Sequence, residues 1–219
     1  MKILIVSDTI CPWCYVGKRR FERALAERPD VEPDIEWRPF ELNPQMPAEG
    51  LDRKTYMRAK FGSDERAGEI YAAIESAGDG EDIPFAFDDI TRVPNTIASH
   101  RLISWSLALG HQNSVVEGLF RSYFLEGNDI GDIDILAEVA AAAGLDQAEA
   151  KAKAYLSSEE GVEQTRAETQ EAHRLGISGV PCFIFDGKYA VSGAQEPEVF
   201  SQVFDLALQP DDADKAQAL

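Results

Sequence analysis

Two cysteines separated by two residues, Cys11-Pro12-Trp13-Cys14, carry the clearest chemical signal in the sequence. In disulfide exchange, one thiolate attacks a substrate disulfide and a second thiol then releases the mixed disulfide. Two intervening residues at the start of a helix keep both sulfurs within bonding reach, and the helix N-terminus favours the first thiolate. The spacing therefore predicts Cys11 as the attacking thiolate and Cys14 as the resolving thiol.

A CxxC pair is also half of many zinc sites, which need a second cysteine pair or two histidines. Here the third cysteine and the three histidines, His100, His111 and His173, lie far along the chain. Redox chemistry is therefore favoured, and no metal is expected. The alternatives to redox chemistry are a zinc site and a pair of thiols with no chemical role.

A second motif, Ser178-Gly179-Val180-Pro181-Cys182, directly precedes an apolar strand. A proline there indicates a cis peptide bond or the first residue of a strand, and a plain turn is the alternative. Cys182 is either a small buried hydrophobic residue or a candidate third redox thiol.

Two further residues beside the cysteine pair leave alternatives open. Trp13 either offers an aromatic surface next to the nucleophile or packs against its own helix. Asp8 either accepts a proton from the buried thiol or binds backbone N–H groups in the loop before the helix. We favour the second role for Asp8.

The elements that position these motifs follow from hydrophobic patterning. Strands are predicted at Ile3–Val6 and Ile35–Leu42, where Pro39 indicates a bulge or a sheet edge. A helix begins at the cysteine pair, and a hairpin turns at Asp186-Gly187. The rest is a helical pattern over 51–176, a last helix over Glu198–Leu208 and a polar tail after Pro210.

This order of elements predicts an α/β thioredoxin-like fold with a large all-helical insertion. The thioredoxin-like domain is discontinuous and covers residues 1–50 and 177–219. The helical insertion domain covers residues 51–176.

Four motifs carry a resemblance to a known family. They are Asp8-x-x-Cys11-Pro12-Trp13-Cys14-Tyr15-x-Gly17, Phe40-x-Leu42-Asn43-Pro44, Pro94-Asn95-Thr96 with Ala98-x-His100-Arg101-Leu102, and Gly176-Ile177-x-Gly179-Val180-Pro181. On these motifs the sequence resembles the DsbA-like branch of the thioredoxin superfamily, and most of all the FrnE-type cytoplasmic thiol oxidoreductases.

The resemblance implies a cis peptide bond at Val180-Pro181, in a loop that faces the cysteine pair and holds a substrate backbone. Pro12, Trp13, Val180 and Pro181 are then the expected substrate-binding residues. It implies no bound cofactor, with glutathione as a candidate co-substrate. Partners are a disulfide-containing protein or small molecule and a thiol reductant or oxidant for recycling. Cys182 departs from the family, where an aromatic residue or threonine is expected.

Related enzymes suggest a different function, that of glutathione-dependent isomerases of hydroxychromene carboxylates. They share this fold and the Pro-Asn-Thr-like region, but typically place a single serine where this chain has its cysteine pair. A redox-gated chaperone that uses the helical insertion for docking is a third hypothesis. The pair favours disulfide exchange, with its direction as oxidase, reductase or isomerase left open.

Charge and hydropathy exclude several classes of partner. The 219 residues carry a formal net charge of −18, which disfavours nucleic acid and anionic membranes. The first apolar run is too short for a secretory signal, and no apolar stretch approaches the roughly 20 residues of a membrane span. We therefore expect a cytoplasmic protein that binds neither nucleic acid nor membrane.

Overall fold

The structure, a computed structural model, describes residues 1–144 and 148–209 and contains a four-stranded sheet. The strands are β1 Lys2–Ser7, β2 Asp34–Pro39, β3 Leu51–Asp52, β4 Arg92–Val93, β5 Cys182–Phe185 and β6 Tyr189–Ser192. The main sheet has the order β2-β1-β5-β6, with β1 parallel to β2 and antiparallel to β5. A separate small sheet pairs β3 with β4.

Nine α-helices occur in the described ranges. They are α1 Pro12–Ala26, α2 Arg53–Phe61, α3 Asp64–Asp79, α4 Ile97–Leu107, α5 Gln112–Phe124, α6 Ile133–Ala142, α7 Ala148–Leu156, α8 Val162–Arg174 and α9 Pro197–Leu208. A short 3-10 helix covers Phe87–Asp89. Together β1, α1 and β2 form the parallel strand–helix–strand unit of a thioredoxin-like fold, as the sequence predicts.

The two faces of the main sheet are covered by different helices. On one face, the Phe21 ring of α1 lies 5.3 Å from Phe183 of β5 and 5.5 Å from Phe200 of α9, measured between ring centroids. Side chains alternate along a strand, so Cys182 points to the other face. There it packs with Val6 and with Ala172 of α8.

The C-terminal hairpin has the turn that the sequence predicts. Asp186 and Gly187 have φ angles of 49° and 68°, the left-handed values that a two-residue hairpin turn requires. The predicted last helix is also present. The predicted polar tail after Pro210 lies outside the described residues.

The second strand is shorter than predicted. It ends at Pro39, because the N–H of Leu42 donates to the Asp8 carboxylate, with an N···O distance of 2.7 Å, instead of extending the ladder. The prediction of an edge position at Pro39 is correct, since β2 is an outer strand. The side-chain amide of Gln112 covers this edge by accepting from the N–H of Trp37 and donating to its carbonyl.

The segment 51–176 is largely helical, as predicted. It also contains the β3–β4 sheet, which the expectation of an all-helical insertion missed. Strands of two residues are too short to produce a detectable alternation of apolar and polar side chains. The domain boundaries at residues 50 and 177 stay a prediction.

Candidate active site

Cys11 and Cys14 lie at the N-terminus of α1. Cys11 is the residue before the first helical position, and Pro12 follows in the first turn, where its missing N–H costs nothing. The N–H of Cys14 donates to the carbonyl of Cys11, with an N···O distance of 3.0 Å. Both side chains are buried thiols, 6% and 1% exposed. This arrangement places the second sulfur deeper in the protein than the first.

The surroundings of Cys14 favour its neutral form. Burial raises the pKa of the Cys14 thiol well above its usual value, and Cys11 raises it further as a hydrogen-bond partner and neighbouring charge. Hydrogen bonds from the Ser7 side chain and the Asp8 backbone act in the opposite direction. Cys14 therefore keeps its proton unless its surroundings change.

The loop at Val180 and Pro181 faces the cysteine pair. The peptide bond between these two residues is cis. The Cys11 thiol donates to the Val180 carbonyl, with an Sγ···O distance of 3.7 Å. A backbone acceptor of this loop thus lies directly beside the more exposed sulfur.

Gly17 allows α1 to approach that loop closely. A Cβ atom at Gly17 would lie 2.8 Å from Cγ of Pro181 and 3.4 Å from the backbone of Ala194. The proline ring is too rigid to move aside cheaply. Gly17 therefore helps to set the distance between the loop and the helix that carries both cysteines.

A cavity of ≈ 300 Å³ opens beside Cys11. Its walls come from the segment 10–13, from the Val180 loop and from helices α2 and α3 of the insertion. Aromatic rings, including Trp13 and Phe61, and aliphatic side chains make up most of the lining, and the polar groups include Arg53, Tyr56 and Lys60. The insertion thus builds one wall of the space in which a group bound to the Cys11 sulfur would lie.

The profile of the DsbA-like thioredoxin domain matches residues 2–205. The chain belongs to the DsbA-like thioredoxin family. An uncharacterized Bacillus subtilis protein, YwbO, is 30% identical over 205 residues, which cover 91% of this chain and 94% of YwbO. A probable DsbA oxidoreductase from Streptomyces coelicolor is 35% identical and has a TM-score of 0.86, covering 94% of this chain and 89% of that structure.

More distant structures share the DsbA-like fold. The cytosolic disulfide reductase DsbM from Pseudomonas aeruginosa, solved with GSH, is 18% identical with a TM-score of 0.69, covering 95% of this chain and 99% of that one. A 2-hydroxychromene-2-carboxylate isomerase is 17% identical with a TM-score of 0.72, covering 98% of both chains. At this identity the likeness establishes the fold alone, and the fold hosts both reductases and isomerases.

The structure brings most of the predicted DsbA-like site residues together. Pro12, Trp13 and Val180 line the cavity beside Cys11, and Pro181 contacts α1 at Gly17. Trp13 is partly buried against the core and also lines the cavity.

Cys182 is separated from the other two cysteines. It lies on the sheet face opposite α1 and belongs to a different hydrophobic cluster from Cys11 and Cys14. Burial raises the pKa of its thiol. This environment suits a small buried hydrophobic residue.

Asp8 is fully buried and serves the backbone. Its carboxylate accepts from the N–H of Leu42 and lies 3.4 Å from Nε2 of His100. His100 Nε2 also lies 3.1 Å from the carbonyl oxygen of Phe40, so it donates to that carbonyl. The two side chains therefore tie the segment after β2 to the loop that precedes the cysteines.

Several residues of the site escaped the sequence analysis. Ser7 is the last residue of β1, and its only sequence signal is a polar residue at the end of an apolar strand. Arg53, Tyr56 and Lys60 carry no signal, because only the packing of α2 brings them to the cavity. Within residues 1–144 and 148–209, no three His, Cys, Asp or Glu side chains cluster as metal ligands, and no helix meets the length and hydropathy of a membrane span.

Ser7→Ala is expected to slow the attack of Cys14 on a mixed disulfide. Because the pKa of Cys14 is already raised, the thiolate fraction at neutral pH is small and the rate should increase with pH. Losing a hydrogen bond to the thiolate raises that pKa further, which should slow the step about tenfold at fixed pH. Rapid mixing of the Cys11 mixed disulfide across pH measures the shift. Ser106→Ala, which removes another buried serine, is the control. If the dependence of the rate on pH is the same in Ser7→Ala as in wild type or in Ser106→Ala, Ser7 does not stabilise the Cys14 thiolate.

Gly17→Ala is expected to lower the rate of disulfide exchange roughly tenfold and to destabilise the fold by about 1–3 kcal/mol, because the new methyl group collides with Pro181. Gly68→Ala in α3 is the matched control, since a Cβ there meets no atom of the described residues within 4 Å. That control should be neutral or stabilising by about 0.5–1 kcal/mol. Exchange kinetics and urea unfolding test both variants. Full activity in Gly17→Ala would show that the helix–loop distance is not critical.

Proposed function

We propose that this protein is a thiol–disulfide oxidoreductase. Cys11 attacks, Cys14 resolves, and Pro12, Trp13, Val180 and Pro181 hold the substrate. The observation that carries the proposal is the 3.7 Å hydrogen bond from the Cys11 thiol to the Val180 carbonyl, with the buried Cys14 in the first turn of the helix that follows Cys11. A nucleophile, a resolving thiol and a backbone acceptor thus meet at one point.

The exchange proceeds in two balanced steps. The Cys11 thiolate attacks one sulfur of a disulfide RSSR, forms the mixed disulfide Cys11–S–S–R and releases RS⁻, which takes a proton from solvent. Cys14 then loses its proton, attacks the Cys11 sulfur and releases the second thiol. The protein is left with a Cys11–Cys14 disulfide, and two electrons have passed to the substrate. Two molecules of a small thiol, such as glutathione, restore the dithiol.

The surroundings of each sulfur support these roles. Cys11 lies at the N-terminus of α1, where free N–H groups stabilise a negative charge. Once Cys11 enters a mixed disulfide, it no longer raises the pKa of Cys14 as a charge or a hydrogen-bond partner, although burial still does. Formation of the mixed disulfide thereby favours ionisation of Cys14.

Localisation and partners belong to the same proposal. We assign the activity to the cytoplasm, a reducing compartment in which a dithiol is maintained. The fold neighbour DsbM is cytosolic and was solved with GSH, which supports glutathione as the recycling thiol. Disulfide-containing proteins or small molecules are the substrates.

A glutathione-dependent isomerase is the second candidate, favoured by the cavity beside Cys11 and by the isomerase that shares the fold. Such chemistry needs one group to hold glutathione in a reactive state. Here Cys14 would attack any Cys11–glutathione disulfide and remove it. If the Cys14→Ser variant keeps isomerase activity and shows no disulfide exchange, this candidate is favoured.

A redox titration in glutathione buffers, read by alkylation and mass spectrometry, tests the proposal. We expect a two-electron transition confined to Cys11 and Cys14. Its midpoint, within a span of roughly −270 to −120 mV, distinguishes a reductase from an oxidase. The absence of a Cys11–Cys14 disulfide at every potential would refute the assignment, and titration of Cys182 with the pair would add it to the mechanism.

A further inference from the structure

We infer that the cavity beside Cys11 selects small disulfides in which one half is an aromatic or apolar group bearing a negative charge. This inference rests on the proposed disulfide exchange and specifies its substrate class. It draws on the charge, shape and hydrogen bonding of the cavity wall.

The charge of the cavity wall is opposite to that of the protein. The chain has 39 acidic and 21 basic residues, yet among the described residues no Asp or Glu lines this cavity, whereas Arg53 and Lys60 do. Within the described part of the chain, neither cation forms a salt bridge with a carboxylate. The cavity is therefore a locally positive site in an acidic protein.

Both cations are held in place by the cavity wall. The Lys60 ammonium donates to the hydroxyl of Tyr56, with an N···O distance of 2.8 Å, and Asn43 hydrogen-bonds to the same hydroxyl. The Arg53 guanidinium donates to the Phe87 carbonyl and lies 5.0 Å from the centre of the Tyr71 ring. An ammonium has three N–H donors, so Lys60 retains donors for an anion.

The shape of the cavity suits a small aromatic group. Its volume of ≈ 300 Å³ is at the lower end for small-molecule sites. The rings of Trp13, Phe61, Tyr71 and Phe87 supply apolar faces for it. A folded protein segment is too large for this space, whereas one aryl half of a disulfide fits beside the Cys11 sulfur.

The positive wall matters because the protein as a whole repels anions. Lys60 is an exposed side chain of the cavity wall, and a carboxylate beside it gains an attractive charge interaction. A neutral ring of the same size gains only the burial of its surface. Charge therefore distinguishes the two kinds of substrate.

Two disulfide reagents and two lysine variants test this selectivity. Dithiobis(nitrobenzoate) carries a carboxylate on each ring, and dithiodipyridine has uncharged rings. Lys60→Gln removes one of the two positive charges of the cavity, whereas Lys54→Gln removes an equal charge from the same helix at a position outside the cavity. The rate constant for reaction of Cys11 with each reagent is measured for wild type and both variants.

Lys60→Gln should slow the reaction with dithiobis(nitrobenzoate) about five- to tenfold and the reaction with dithiodipyridine by less than about twofold. Lys54→Gln should change both by less than about twofold. Equal losses in the two lysine variants would mean that only the overall charge matters and would overturn the inference. Equal losses with the two reagents would overturn it as well.

A binding measurement separates this inference from the proposed function. Calorimetric titration of Cys11→Ser, which cannot exchange, compares naphthoate with its neutral analogue naphthamide. Naphthoate should bind about five- to tenfold more tightly, and the added Lys60→Gln change should remove this preference. Equal affinity for the two compounds would overturn the substrate class. A wild-type protein that never forms the Cys11–Cys14 disulfide would instead refute the proposed function, whatever naphthoate does.

Discussion

Replacing Cys11 with serine should lower the rate of disulfide exchange by roughly a thousandfold or more, because no other described thiol can take its place. Cys14 is 1% exposed with a raised pKa, and Cys182 lies on the far side of the sheet. A hydroxyl at position 11 is not nucleophilic without a base. Turnover of a chromogenic disulfide by the purified variant measures the loss.

Cys14→Ser should have a different effect. Cys11 can still attack, but the mixed disulfide is no longer released, so the adduct accumulates in stoichiometric amount and is visible by mass spectrometry. Cys182→Ala is the matched control, since alanine keeps a small apolar side chain in the cluster with Val6 and Phe40. It should exchange disulfides at the wild-type rate. Protein-binding activity that survives Cys11→Ser, with disulfide exchange lost, would favour a redox-gated chaperone.

The order of elements and the local geometry of the cysteine pair were predictable from the sequence because they depend on near neighbours. A strand, a proline in the first helical turn and the spacing of Cys11 and Cys14 follow from patterns of a few residues. The hairpin at Asp186-Gly187 is equally local, because its left-handed φ angles need those residue types.

The surroundings of the pair were not predictable, because they depend on tertiary packing. Lys60 and Tyr56 reach the cavity only through the position of α2 against the Val180 loop. The end of β2 also depends on a remote residue, since the Asp8 carboxylate takes the N–H of Leu42. Gly17 matched the family motif, but its close approach to Pro181 is visible only in three dimensions.

Helix α4 connects the site to the rest of the insertion. Ser99 is hydrogen-bonded to Thr9 in the loop before Cys11, with an O···O distance of 2.8 Å, and His100 donates to the Phe40 carbonyl. The next residue, Arg101, faces α7 instead. Its guanidinium donates to the carbonyls of Tyr155, Leu156, Ser158 and Glu160, at distances of 2.7–3.1 Å.

Arg101→Met should destabilise the protein by about 3 kcal/mol or more. Arg101 is 4% exposed, and its guanidinium binds two carbonyl groups in the last turn of α7, where the helix dipole favours a positive charge, and two in the segment that follows the helix. Methionine has a similar length but donates no hydrogen bond, so Leu156 and its neighbours lose their partner at a cost of about 1–3 kcal/mol for each buried group. The free energy of unfolding in urea measures the change.

Two further variants distinguish this role of Arg101 from the loss of a charge. Arg101→Lys keeps the charge but has three donors on one nitrogen instead of a planar fork, so it should recover only part of the lost stability. Arg174→Met removes an exposed arginine paired with Glu171 and should change the unfolding free energy by less than about 0.5 kcal/mol. If Arg101→Met lowers the free energy of unfolding no more than Arg174→Met does, the four carbonyls do not depend on Arg101.

A large decrease would instead show that α4 stabilises the end of α7 through Arg101. Adjacent residues of this one helix would then hold both the loop before Cys11 and the end of α7.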